Sequence, residues 1–174
     1  FYGWFYIGWL PEGILKVDIS RNALSGTLSL MNLPQSLRQF SASENTLSGT
    51  LDLASLPDSL GNLNLSFNEF HGAVDLTVLP QRMSYLTLNG NMLEMGRLVT
   101  VRKGGVSQLI LDPGKIREVV DTDGVRLEFV NVSEKNFESL TNHCTISKVN
   151  RTSLNTHSNP AWCIPRTAVV VLSE

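Results

Sequence analysis

Cys144 and Cys163 are the residues of this chain best suited to covalent chemistry, and they are its only cysteines. In an oxidising compartment a disulfide closing their 19-residue separation stabilises a fold by roughly 3 kcal/mol. In a reducing one they remain two free thiols. His143 and His157 stand nearby, but the adjacent pair His143 and Cys144 does not have the spacing of paired zinc ligands. Cys144 with His157 as nucleophile and base is supported by no surrounding motif. Asp121 and Asp123 in "DTDG" suggest the start of a calcium loop. Val119 and Val130 then fall at the first and twelfth ligand positions, where acids are required, so a turn is the better reading. There is no G-x-S-x-G, no glycine-rich phosphate loop with Lys and no H-E-x-x-H. His71 sits before Gly72 where Ser is commoner, which makes it a turn residue rather than a base. Sequons begin at Asn64, Asn131 and Asn150, in a chain where Asn, Ser and Thr are frequent. The expectation is a protein without enzymatic activity, catalytic residues, metal or cofactor.

The elements around these residues are set by a repeat rather than by a catalytic scaffold. Leu-Pro pairs begin at Leu10, Leu33, Leu56 and Leu79, each 23 residues after the last, and Asn22, Asn45, Asn68 and Asn91 keep the same beat. The shared pattern is L-P-x-x-Φ-x-x-Φ-x-Φ-x-x-N-x-Φ-x-G-x-Φ-x-Φ, with Φ apolar. Leu63 and Leu65 alternate with Asn62, Asn64 and Ser66, which specifies a short strand with one face inward. Asn68 follows where the chain turns away, and its amide can both donate to and accept from backbone groups the turn leaves unpaired. Stacked at each repeat, the four asparagines form a structural ladder. Gly26, Gly49 and Gly72 permit a bend, and "TLDL" at Thr50–Leu53 reads as a second, back-side strand. One unit cannot bury its own stripe, but stacking at about 4.8 Å joins Val17, Phe40, Leu63 and Leu86 into one row. Ile19, Ala42, Leu65 and Leu88 make another. The fold expected is a solenoid, mainly β with short turns or 3-10 segments and little α-helix.

The pattern L-x-x-L-x-L-x-x-N-x-L-x-G resembles the leucine-rich repeat consensus over residues 10–100. Its "NxLSGTLDLxxLPxSL" form is similar to the repeats of kinetoplastid protists. That resemblance implies a right-handed solenoid whose concave strand face binds another macromolecule, and no enzyme activity.

Four repeats are assigned to residues 10–101. Residues 1–9 fall in phase as a partial repeat or a modified N-terminal cap. Residues 102–130 read as a degenerate fifth repeat, with "VSQLIL" as its strand and Gly114 where Asn is due, followed by a capping hairpin around "DTDG". Gly96 is displaced by one residue relative to Gly72, so the fourth unit carries an insertion near Met95. Residues 131–174 read as a polar irregular tail in which only "TAVVVL" suggests a strand.

With 14 Lys plus Arg against 16 Asp plus Glu, the formal charge is −2 and no basic stripe suits nucleic acid. Apolar runs of about five residues are too short to span a bilayer, which takes about 20. The expected binding surface is the outward face of the strands, and the expected partner is a protein. One column runs Lys16, Gln39, Asn62, Tyr85 and Gln108. The next runs Asp18, Ser41, Asn64, Thr87 and Ile110, and a third Ser20, Ser43, Ser66, Asn89 and Asp112. Tyr85 and Phe67 are the aromatic anchors. The alternatives are a secreted or cell-surface recognition ectodomain, in which the Cys144–Cys163 disulfide forms, and a structural subunit of a larger assembly. The sequence does not decide between cell surface and cytoplasm.

Overall fold

The computed structural model describes residues 1–112 and 116–127, and as backbone strands Phe129–Val132 and Thr167–Val171. Cys144, Cys163, His143, His157 and the sequon at Asn150 lie outside the described residues. The chain winds as a parallel β-solenoid. It opens with β1 (Tyr2–Gly3) and a 3-10 turn at Ile7–Trp9. Each following coil then lays down one front and one back strand. These are β2 (Lys16–Asp18) and β3 (Ala23–Thr27), β4 (Gln39–Ser41) and β5 (Thr46–Gly49), β6 (Asn62–Asn64) and β7 (Glu69–Ala73), β8 (Tyr85–Thr87) and β9 (Met92–Glu94). The last coils add β10 (Leu98–Val101), β11 (Gln108–Leu111), β12 (Glu118–Asp121), β13 (Phe129–Val132) and β14 (Thr167–Val171).

The front sheet runs in the order β13-β14-β11-β8-β6-β4-β2, with β2 to β11 parallel and β14 antiparallel between β11 and β13. Its register follows the sequence period: Val17 faces Phe40, Phe40 faces Leu63, Leu63 faces Leu86 and Leu86 faces Leu109. All five side chains are buried, as period-two alternation with one inward face requires. The back sheet, β1-β3-β5-β7-β9, is staggered instead. Ser25 pairs with Thr46 and not with its repeat equivalent Ser48, so neighbouring back strands slip by two residues per coil.

The back strand lies earlier than "TLDL" suggests. Strand β5 starts directly after Asn45 and stops at Gly49, whose φ of 103° turns the chain out of the ladder. A Cβ at Gly49 would stand 2.7 Å from Cγ2 of Thr27, so both the turn and the packing of adjacent coils need glycine there. Leu51 and Leu53 do point inward, but they line a third side of the coil with Leu28, Leu30, Leu33 and Leu76. A strand appears on that side only in the last coils, where β10 pairs in parallel with β12.

Polar side chains close the turns between coils. Leu37, Leu60 and Met83 each donate their amide to the Pro carbonyl that opens the turn, at 3.0 Å. The Ser36 hydroxyl donates to the Ile14 carbonyl of the coil before it and Ser59 to that of Leu37, at 2.8 and 2.6 Å. Asp52 accepts from the Ala54 amide and Asp75 from the Thr77 amide, fixing the third-side corner one coil apart. In the "DTDG" segment Asp121 donates its amide to the Val125 carbonyl, and Leu127 donates to Val119, giving a tight hairpin. The Asp121 carboxylate takes the amides of Asp123 and Val125, so its acceptors serve the turn.

Candidate functional site

The front sheet carries the surface columns because its register is in phase. Lys16, Gln39, Asn62, Tyr85 and Gln108 are cross-strand neighbours in sequence order, and so are Asp18, Ser41, Asn64, Thr87 and Ile110. Lys16, Gln39 and Tyr85 are exposed, Asn62 and Gln108 half-buried. In the second column Asp18 is exposed, and Ser41, Asn64 and Thr87 are half-buried. Ile110 departs from the expected pattern. It is buried, and its strand β11 is the one that β14 joins.

The third column is not a surface. Ser43, Ser66 and Asn89 are all buried, because the residue after the strand is where the chain starts to fold inward toward the asparagine. Their hydroxyls and amides serve the coil. Ser20 and Ser41 hydroxyls lie 2.6 Å apart, and the Ser66 amide and hydroxyl both donate to Oδ1 of Asn64 at 3.1 and 2.7 Å. Asp18 accepts from the Ser20 amide at 3.0 Å. That bond, with the Ser20 hydroxyl and the nearby Lys16, holds its carboxyl below the usual Asp range against a small desolvation penalty. Asp18 and Lys16 thus place one charge of each sign on β2, at one end of a front face that is neutral on β4, β6 and β8.

The asparagine column is formed as the sequence implies. Nδ2 of Asn45 reaches the carbonyls of Ile19, Ala42 and Ser43 at 3.0 to 3.2 Å, and its Oδ1 accepts from the Leu24 amide at 3.1 Å. Asn68 repeats this with Ala42, Leu65, Ser66 and Leu47, and Asn91 with Leu65, Leu88, Asn89 and Phe70. Asn22 donates to Ile19 and Ser20 and accepts from the Phe1 ammonium.

A file of left-handed residues, which carries no obvious sequence signal, precedes these asparagines. Arg21, Glu44, Phe67 and Gly90 have φ of 55°, 56°, 54° and 70°. Only the last is a glycine, although this conformation costs other residues roughly 1 kcal/mol each. The twist throws their side chains to the rim of the front sheet. Arg21 and Glu44 pair there at 2.9 Å. Phe67 lies over Gly90, where a Cβ would meet its ring at 2.5 Å. Phe67 and Tyr85 are both less than half exposed, which presents two aromatic rings on adjacent coils.

Asp112 ends the column in a way the Gly114 mismatch only partly announces. In earlier coils the amides of Phe67 and Asn68 are received by the backbone carbonyls of Asn89 and Gly90. For Gly90 and Asn91 the Asp112 carboxylate takes that place, at 2.7 and 3.4 Å. Burial raises its pKa above the usual Asp range, with the two amide bonds opposing. Asp112→Ala is expected to cost about 1–3 kcal/mol, because two amides lose their acceptor. Asp112→Asn keeps an acceptor and sheds the desolvated charge, and should be at least as stable as wild type at neutral pH. The sign follows from the raised pKa: the folded state holds this proton more tightly, so wild type gains stability as pH falls through the folded-state pKa toward 3.8. Melting curves at neutral and mildly acidic pH test both variants, and the Asn variant should lack that gain.

Among the described residues, Oδ1 of Asn89 and Nε2 of Gln108 are buried without a hydrogen-bond partner. Gln108 lies on β11, which β14 joins, and Asn89 follows β8, one coil earlier. No helix among the described residues is long and apolar enough to cross a membrane. No protein-family model matches the chain and no curated protein matches it, so the coil surfaces themselves must carry the functional reading.

Proposed function

We propose that the chain is a leucine-rich repeat protein, of the kind found in kinetoplastid protists, acting as a non-enzymatic scaffold that binds a protein partner on its front sheet. The observation that supports this is the strip Gln39, Ser41, Asn62, Asn64, Tyr85 and Thr87, held in register by main-chain pairing. These side chains are uncharged, adaptable hydrogen-bonders around the exposed Tyr85 ring. Interfaces concentrate their energy in such aromatic centres, with polar surroundings supplying complementarity. Asparagine ladders and leucine rows are architecture; within the strip Ser41 and Asn64 also bond to Ser20 and Ser66, and no such bond ties Gln39, Asn62 or Tyr85 to the coil among the described residues.

Partner capture compares wild type with Tyr85→Ala and with Asn62→Arg/Asn64→Arg. Tyr85→Ala is expected to lower the melting temperature only slightly, since the ring lies on the surface at 43% exposure, and to weaken the partner by roughly ten- to thirtyfold. A partner held equally by both variants would move the site off the front sheet.

A further inference from the structure

The first coil carries a second surface that the repeat does not explain. By phase, Trp4, Tyr6 and Trp9 correspond to Thr27, Ser29 and Asn32 of the next coil and to Thr50, Asp52 and Ser55 of the one after. Those positions are polar and outward. The first coil's inward positions are filled normally by Phe5, Ile7 and Leu10, which pack against the core. The aromatic residues are therefore additions to the flank and not pieces of the hydrophobic row. Stacking of any further coil against this edge leaves outward positions on the flank.

The three rings form one cluster. Trp4 and Trp9 centroids are 5.0 Å apart at a 37° tilt, Tyr6 and Trp9 are 5.9 Å apart edge to face, and Trp4 and Tyr6 are 6.3 Å apart. Each remains more than half exposed, at 64%, 56% and 63% for Trp4, Tyr6 and Trp9. Gly8 makes room for the cluster: a Cβ there would collide with the Tyr6 ring. Rings this close touch one another, so no cavity opens among them for a compact ammonium group. They offer a broad π surface instead, which suits the planar guanidinium of Arg.

The charge around the plaque points the same way. Between Asn22 and Gln81 the chain has one cation, Arg38, and five acids; Glu44 is already paired with Arg21, which leaves Asp52, Asp58, Glu69 and Asp75. The column that begins at Tyr6 continues through Ser29 to Asp52 and Asp75. At about 4.8 Å per coil, Asp52 lies roughly 10 Å from the Tyr6 position and Asp75 one coil beyond. Thr77 holds the Asp75 carboxylate below the usual Asp range through its hydroxyl and amide, so this charge persists at mildly acidic pH.

We infer that the Trp4–Tyr6–Trp9 plaque and the Asp52–Asp75 file together dock an extended, arginine-bearing segment of a partner protein. One Arg stacks on the rings. A second, about three residues along at 3.3 Å rise, reaches Asp52. The site is separate from the front sheet and stands whether or not the front sheet binds.

The test titrates the full 174-residue chain into a labelled extended peptide with Arg at every third position and Ser or Gly between, read by fluorescence anisotropy. The same peptide with Gln for Arg is the control. Saturable binding of the Arg peptide alone is expected. Trp9→Ala or Trp4→Ala should weaken it about tenfold, while melting stays as in wild type because both rings are exposed. Asp52→Asn with Asp75→Asn keeps an acceptor for the Ala54 and Thr77 amides, and should weaken binding about threefold and flatten its salt dependence. Equal binding of the Gln peptide, unchanged affinity in both Trp variants, or loss on Tyr85→Ala instead would overturn the proposal. So would partition onto phosphatidylcholine vesicles without peptide binding, which would make the plaque a membrane-interface anchor. Self-association abolished by Trp9→Ala, again without peptide binding, would make the occupant a second copy of the chain.

Discussion

Replacing Leu63 with Ala is expected to lower the stability of the folded chain by about 3 kcal/mol, toward the middle of the range for a core leucine. Leu63 is 1% exposed and lies between Phe40 and Leu86 in the front row. In a solenoid each coil touches only its neighbours, so stability depends on every interface along the stack. A cavity at β6 loosens the interfaces on both of its sides, and no distant packing can compensate. At roughly 2–4 °C per kcal/mol for a chain of this size, the melting temperature should fall by about 6–12 °C. Val17→Ala, at the end of the same row and with a smaller side chain, should cost visibly less. Equal melting of Leu63→Ala and wild type would mean that Leu63 does not face the interior. The scan must follow one cooperative transition, because repeat arrays can unfold in parts.

The inward rows were legible because burial is decided by residue type at a period the sequence states four times over. Phe40, Leu63, Leu65, Leu86 and Leu88 are all buried where the phase puts them. What the sequence obscured depends on backbone conformation rather than on hydrophobicity. Leu51 and Leu53 alternate as strand residues do, but the left-handed Gly49 has already taken the chain out of the back sheet. Ser43, Ser66 and Asn89 look like surface residues by composition, and are buried because the chain turns inward just after the strand. The left-handed file was hidden because Arg21, Glu44 and Phe67 are side chains that rarely signal a positive φ. Gly90 was its one visible member.

Surface function was less legible for a related reason. Repeat residues answer to their neighbours in the stack, so a polar residue on the front sheet carries the same signal whether it binds or is merely solvated. A departure from the repeat carries more information. Tyr85 departs by being aromatic in a polar column, and Trp4, Tyr6 and Trp9 depart together. Asp112 departs too, but its carboxylate is engaged by two backbone amides, which marks it as an end cap.

Removing one asparagine side chain should be nearly as damaging as removing a core leucine, although it buries far less apolar surface. Asn68 is 8% exposed and bonds through both ends of its amide to backbone groups. Nδ2 reaches the carbonyls of Ala42, Leu65 and Ser66 at 2.9, 3.2 and 3.1 Å, and Oδ1 accepts from the Leu47 amide at 3.1 Å. In Asn68→Ala the buried Leu47 amide loses its acceptor, at about 1–3 kcal/mol, while the carbonyls of Ala42, Leu65 and Ser66 lose one donor each and keep another, from Asn45 Nδ2, Asn91 Nδ2 and the Glu44 amide. A loss of about 2–3 kcal/mol in all is expected, from one orphaned amide and three weakened carbonyls. Asn68→Asp separates this account from one based on size alone. Its carboxylate has the same shape and can still accept from Leu47, but it faces three carbonyl oxygens with no proton to give. At neutral pH it should be destabilised at least as much as Asn68→Ala. Burial and those carbonyls must raise its folded-state pKa, so the penalty should shrink as pH falls through that value and one donor returns. An Asn68→Asp variant that melts with wild type at neutral pH would show that the coils are held by their leucines alone.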